Sequence, residues 1–182
     1  MCAIIQEPRL RTQRLVLRPP RGEDAVWIAD RINDYDIARM TTRVPHPYGL
    51  ADAEDFLASA GSERDRLFLI EHPGFGAIGM VGLHEAPTRW SPTGAALSPE
   101  VGYWLGRTFW GRGFATEALA AVLDWAAKGW GRRVVAAGHF ADNPASGRVL
   151  EKAGFLYTGE VQPRFSLSRG EAAPTRMMVW LA

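Results

Sequence analysis

A chain of 182 residues, 47% hydrophobic and 23% charged, has the length and apolar content of one globular domain with a sizeable core. Its formal net charge of +1 gives no electrostatic reason to expect nucleic acid or a membrane surface as a partner. The single cysteine, Cys2, excludes an internal disulfide and a cysteine-based metal site, and no apolar run approaches the ~20 residues of a membrane span, so a soluble cytoplasmic protein is expected.

From the N-terminus, Leu10 to Arg18 sets Leu15 and Leu17 against Arg14, Val16 and Arg18 and reads as a first strand, stopped by Pro19-Pro20. Asp24 to Ile32, with Val26, Trp27, Ile28 and Ile32, reads as a short amphipathic helix. Asn33 to Pro47 is a long connection of the kind that often binds ligands. A second helix is expected over Leu50 to Ser62, with Phe56 and Leu57 inward. Arg66 to Glu71 and Ala77 to His84 form a hairpin around His72-Pro73-Gly74-Phe75-Gly76, and Ala86 to Pro99 is a loop.

Glu100 to Leu105 then reads as a strand, and Ala118 to Trp130 as a helix carrying Leu119, Val122, Leu123 and Ala126 inward. Between them lies Trp110-Gly111-Arg112-Gly113-Phe114-Ala115-Thr116-Glu117. Two glycines at a strand-to-helix turn clear the way to unpaired helix-start N–H groups, and Arg112 adds a full charge. That is an anion-binding turn suited to a pyrophosphate, although the same pattern also serves purely conformational ends. A dinucleotide fingerprint fits poorly, because Thr116 stands where the third glycine belongs and Lys128 to Arg133 offers no acid.

Arg133 to His139 reads as a buried strand. Asn143 as N-cap, Pro144 at the first helical position and Gly154 past the end frame a further helix. Phe155 to Val161 and Thr175 to Leu181 close the chain as strands joined by a polar loop. The sum is a single α/β (α+β) domain over residues 1–182, with a mixed, mostly antiparallel sheet of about seven strands and about four flanking helices.

Four segments in this order resemble the GNAT N-acetyltransferases, and within them the RimJ/RimL-like branch that acetylates ribosomal-protein N-termini. They are Thr12-x-Arg14-Leu15-x-Leu17-Arg18-Pro19, Gly102-Tyr103-Trp104-Leu105, Trp110 to Ala118, and Asn143-x-x-Ser146-x-x-Val149-Leu150-Glu151-Lys152-x-Gly154-Phe155. The resemblance implies acetyl-CoA as cosubstrate, no metal, and a pyrophosphate held on the amides of Gly111, Arg112, Gly113, Phe114, Ala115 and Thr116. It implies that the strands around Val101–Leu105 and Val134–His139 splay apart, with the pantetheine arm along Tyr103, Trp104 and Leu105. Asn143 and Ser146 then meet the cofactor from the next helix. Trp110 stands where the wider family usually has Gln or Arg, as is usual in the RimJ/RimL-like branch.

Acetyl transfer to an amine needs a proton acceptor for the amine, a donor for the oxyanion, and a proton for the departing thiolate. The resemblance offers Glu100 as base, against a plain surface acid at a strand start. The Tyr that often protonates the thiolate maps onto Leu150, so Ser146 is the expected substitute, with Tyr157 as another hydroxyl nearby. The oxyanion donor is expected to be a backbone N–H of the Val101–Leu105 strand. His84 is a reserve base, and Trp104 and Trp90 are candidates to line the acceptor site. His46, His72 and His139 show no metal spacing. The acceptor is a protein N-terminal amine or a small amine. A polyamine or cationic antibiotic would want acids, which Asp34, Asp36, Asp52, Glu54 and Asp55 could supply if they are not merely caps and solvated faces. A non-catalytic acyl-CoA binder and a nucleotide-dependent oxidoreductase remain as rival classes, and the last strand is a possible homodimer edge.

Overall fold

The structure, a computed structural model, describes residues 8–59, 65–87 and 97–182. Among these, eight strands form one sheet: β1 (Leu10–Arg11), β2 (Val16–Arg18), β3 (Asp65–His72), β4 (Gly76–Pro87), β5 (Leu97–Leu105), β6 (Val134–Phe140), β7 (Leu156–Ser166) and β8 (Glu171–Leu181). Their order is β1-β2-β3-β4-β5-β6-β8-β7, and every neighbouring pair is antiparallel except β5 and β6. Five helices flank it: α1 (Ala25–Ile32), α2 (Tyr35–Ala38), α3 (Leu50–Ser59), α4 (Phe114–Lys128) and α5 (Pro144–Lys152). No described helix is long and apolar enough to cross a membrane.

Period-two burial divides the sheet into two faces. Phe68, Val81, Leu83, Val101 and Leu105 join Leu119, Val122 and Leu123 of α4 in the larger core cluster. Leu67, Leu69 and Met80, with Trp104 packed beside them, meet Ile28 and Ile32 of α1 and Ala53 of α3 in the smaller one. Each fully buried side chain of this size is worth about 1.5–3 kcal/mol. The mixed α/β architecture is the expected one.

Several expectations need correction. The first strand is broken in two, because Thr12 turns the chain: its amide donates to the Leu15 carbonyl and its hydroxyl accepts from the Leu15 amide. Leu15 and Leu17 are buried as expected, at 2% and 0% exposure. Val26 points outward, 67% exposed, and the long connection after α1 contains the one-turn α2. The helix after the glycine turn begins at Phe114, four residues before the apolar repeat becomes visible. The polar loop expected before the last strand is mostly sheet, since β7 and β8 stay paired to Ser166 and Glu171. Pro163 is tolerated there because β7 is an edge strand. β8 is paired on both sides, by β6 and β7, so the outer edge belongs to β7.

The break in the first strand has a distant cause. Glu117, in the first turn of α4, accepts from the Thr12 hydroxyl at 2.6 Å, the Arg14 amide at 2.8 Å and Arg14 Nε at 2.7 Å. Extended alternation would carry these donors past the helix. Partial burial opposes ionisation of Glu117, but the bonds from Thr12 and Arg14 outweigh it and hold the carboxyl below its ordinary value of 4.5. Its stabilising effect is therefore complete above that value and is lost as pH falls through the lower folded one. Glu117→Gln should lower stability by about 1–3 kcal/mol at neutral pH in denaturant titration. The gap from the unmutated protein should close on acidification.

Candidate active site

β5 and β6 are parallel but pair only at Glu100 with Ala136 and Val101 with Ala137. Beyond these residues they part, and both lead at their C-terminal ends into helix starts, α4 and α5. The Gly106 amide donates to the Ile78 carbonyl, so alternate residues of β5, Trp104 and Gly102, turn their backbone groups to β4. Tyr103 and Leu105 accordingly turn theirs to the gap that β6 has left. The expected splay is present. Trp110 braces it: its indole N–H donates to the Leu105 carbonyl at 2.8 Å.

The turn beyond is shaped for an anion. Gly111 and Gly113 have φ of +73° and +78°, a left-handed conformation that side chains resist. A Cβ built on Gly111 meets nothing within 4 Å, so the space above it is open. Gly113 is the N-cap of α4 and no side chain caps it, which leaves the N–H groups of Phe114, Ala115 and Thr116 at the helix start. Arg112 lies over the Phe75 ring, 5.7 Å from its centroid, and its carbonyl accepts from Arg14 at 3.1 Å.

Across the gap, α5 supplies the opposite wall. Asn143 Oδ1 accepts from the Ser146 amide at 3.1 Å, which makes Asn143 the N-cap, and Gly154 follows the helix at φ +94°. The Ser146 hydroxyl lies 2.8 Å from the Tyr103 hydroxyl, and Tyr103 also donates to the Ser146 carbonyl at 3.1 Å. Burial pushes Tyr103 up to about 12, with the Ser146 bond opposing. Leu150 is buried, and the Tyr157 hydroxyl lies 3.0 Å from His139 Nε2, beside Gly147.

A cleft of about 1400 Å3 passes through the gap from the turn and α5 to the other face of the sheet. There, strand register sets three rows side by side: Asp65, His84 and Glu100; Leu67, Gly82 and Gly102; Leu69, Met80 and Trp104. A Cβ at Gly102 would meet nothing within 4 Å, so the middle row contains a hollow. One side of it is apolar, with Trp104 stacked on Trp27 at 5.8 Å. The other carries charge. Glu100 has both oxygens on Arg164 of β7, with 2.9 Å between Nη2 and Oε2. His84 Nδ1 is 2.9 Å from Asp65 Oδ1. Trp90 lies outside the described residues.

Residues 39–42 cross the mouth of the gap to the β7–β8 turn. The Thr41 and Thr42 carbonyls accept from Ser166 Oγ at 2.8 Å and the Leu167 amide at 3.1 Å. Arg169 binds the Arg39 carbonyl and pairs with Asp142 at 2.9 Å. Asp34 and Asp36, which could have made an acidic pocket, are engaged by Arg107. Those bonds hold Asp34 below the usual carboxylate range, and Arg39 together with Arg107 does the same for Asp36. Asp52 accepts from the Gly49 amide, and Glu54 is exposed. Among the described residues no group of three His, Cys, Asp or Glu side chains could hold a metal.

The acetyltransferase (GNAT) domain profile matches residues 14–156, which takes in the glycine turn, the splay and the α5 wall. The chain belongs to the GNAT acetyltransferase family. It is 28% identical over 163 residues to the uncharacterized N-acetyltransferase YoaA of Bacillus subtilis (strain 168), covering 84% of this chain and 85% of that protein. The ribosomal-protein-S5-alanine acetyltransferase of Vibrio fischeri superposes with a TM-score of 0.79 at 19% identity, over 96% of this chain and 97% of that one. The spermidine N-acetyltransferase of Vibrio cholerae, solved with CoA and spermine, gives 0.76 at 20% identity, over 93% and 96%. These likenesses establish the GNAT fold and an acetyltransferase.

The turn, Tyr103, Asn143 and Ser146, singled out in the sequence, come together at the gap, and Gly102 stood there only within a motif, whereas Asp65, Gly82 and Arg164 carried no signal. Counting outward from the hairpin turn sets Asp65 opposite Leu83, and it is the bulge between Ile70 and Glu71 that shifts the register by one and brings Asp65 opposite His84. No local signal marks Arg164 as the partner of Glu100.

The Tyr103 result has a measurable consequence. An unfolded tyrosine ionises near 10, so the part of stability that depends on a neutral Tyr103 is complete below that pH and is lost as pH rises towards 12. Tyr103→Phe should blunt the alkaline fall of stability between pH 10 and 12, read by thermal unfolding.

Proposed function

We propose that this GNAT enzyme transfers the acetyl group of acetyl-CoA to a primary amine by direct attack in a ternary complex, and that the acceptor is a protein N-terminal α-amine of the RimJ/RimL type. The observation that carries the reading is a cleft crossing the sheet at an anion-binding turn, so that donor and acceptor reach one point from opposite faces. Bound acetyl-CoA supplies the activated acyl group. The turn suits its pyrophosphate through the amides from Gly111 to Thr116, the helix dipole and Arg112. The Asn143 side-chain NH2 and the α5 wall complete the donor side. The Tyr103 backbone and the Leu105 N–H offer a strand edge to the pantetheine arm, and one of these amides serves the oxyanion. Trp104 and Trp110 support that edge from either end.

Ser146, coupled to Tyr103, is assigned the proton for the departing thiolate. At about 12, Tyr103 stays protonated throughout the neutral range and so keeps a proton to donate towards Ser146. Glu100 and the groups beside it border the acceptor hollow. A ribosomal-protein acetyltransferase among the similar folds supports the protein N-terminus, and engagement of Asp34 and Asp36 by Arg107 removes charge that a polycation would seek. The spermidine enzyme keeps small amines in the panel of acceptors.

Calorimetric titration with acetyl-CoA tests the donor site. Binding should be lost in Gly113→Glu, which brings a like charge to the anion site and forces a side chain into a left-handed conformation costing about 1–2 kcal/mol. Thiol release against N-terminal peptides and small amines tests the acceptor. Binding without turnover on any amine would replace the enzyme reading by that of an acyl-CoA binder. Gly102→Val, compatible with a strand, should fill the hollow and raise the KM of the amine while leaving acetyl-CoA affinity in place.

A further inference from the structure

We infer that His84 is the general base that takes the proton from the attacking amine. The inference rests on the acetyltransferase reading above and names the group that completes it. Three observations converge on this side chain. His84 stands on the same face and in the same row as Glu100, at the charged border of the Gly102 hollow. Its Nδ1 is fixed at 2.9 Å from Asp65 Oδ1, and a carboxylate can only accept, so the proton of the neutral ring lies on Nδ1 and the lone pair on Nε2. That Nε2 atom leans over the glycine row, 3.1 Å from where a Cβ of Gly82 would stand, and Gly82 pairs with Gly102. A base with a fixed tautomer thus overhangs the hollow from which an amine reaches the splay.

Glu100 offers the weaker alternative, since both its oxygens are engaged by the Arg164 guanidinium and one would have to leave that partner to meet an amine. The charged groups facing His84 come from four elements: Asp65 on β3, Glu100 on β5 with Arg164 of β7 behind it, and Arg43 from the segment after α2. Burial comes first, and the charge of Arg43 second, in disfavouring the imidazolium; Asp65 and Glu100 oppose them but do not prevail, so the ring titrates below its ordinary 6.5. The base form therefore predominates at neutral pH.

A weak base is enough at this step. A nitrogen that is forming a C–N bond is far more acidic than a free ammonium, and an α-amine, with a pKa of about 7.7–8.0, is partly neutral before it enters. As the C–N bond forms, the N–H proton passes to His84 Nε2. The C–S bond breaks with its electron pair going to sulfur, which takes a proton through Ser146 and Tyr103. His84 returns its proton to water, and the Ser146–Tyr103 pair recovers one from it.

The test measures kcat against pH for the unmutated protein, His84→Gln and Asp65→Asn, at saturating acetyl-CoA and saturating amine taken from the responsive acceptors of the thiol-release panel. The unmutated profile should rise through a group titrating below 6.5. His84→Gln should lose that limb and lower kcat by about 10²–10⁴-fold, with acetyl-CoA binding by calorimetry unchanged. Asp65→Asn should move the limb to lower pH, because it removes the carboxylate that favours the imidazolium. A His84→Gln protein that keeps both the limb and its kcat overturns the inference. Should that variant fail to bind acetyl-CoA through misfolding, an unmoved limb in Asp65→Asn overturns it instead. Absence of turnover by the unmutated protein on every amine removes the transferase reading and this inference together.

Discussion

Backbone polar groups inside a protein need partners, and β5 exposes several by parting from β6 after Val101. Much of the site answers that single constraint. The indole of Trp110 takes up the carbonyl of Leu105, the hydroxyl of Tyr103 crosses to α5, and the remaining amides face a cleft. The divergence also brings two helix starts to one place. Each carries unpaired N–H groups and a partial positive charge, so an edge able to pair with an extended chain ends beside a seat for an anion. A ligand with an amide-bearing arm and a pyrophosphate has the complementary order of groups.

The two faces divide the chemistry. Tyr103, Leu150 and the α5 start lie with α4 in the larger core, while Asp65, His84, Glu100 and Gly102 lie opposite, beneath α1 and α3. Residues 39–42 join the second face to the β7–β8 turn, largely through main-chain carbonyls. Ion pairs extend the same seam from Arg107 through Asp34, Asp36 and Arg39 to Asp142 and Arg169. They are exposed to differing degrees, and their main effect is to fix geometry rather than to add stability.

What could be read from the sequence was what short-range physics decides. Gly111, Gly113, Asn143, Pro144 and Gly154 act within a few residues of themselves, and each stands where its local chemistry put it. What could not be read is decided by residues far along the chain. Thr12 turns because Glu117, 105 positions on, needs its hydroxyl. The polar composition of residues 162–174 conceals a hairpin, because β7 buries few of its side chains and so shows little apolar alternation. Glu100 looked free because Arg164 is 64 positions away. The site was legible where glycines and caps announce it and silent where opposite charges meet across strands.

The placement of β8 between β6 and β7 bears on how the chain acquires its structure. β6 can join β5 as soon as both have emerged from the ribosome, but its other edge stays open until β8, the last strand in sequence, arrives. Until then the half-built sheet presents an apolar strand with unsatisfied amides, a template for the wrong partner. Residues 171–181 are thus the ones that close the open edge of β6.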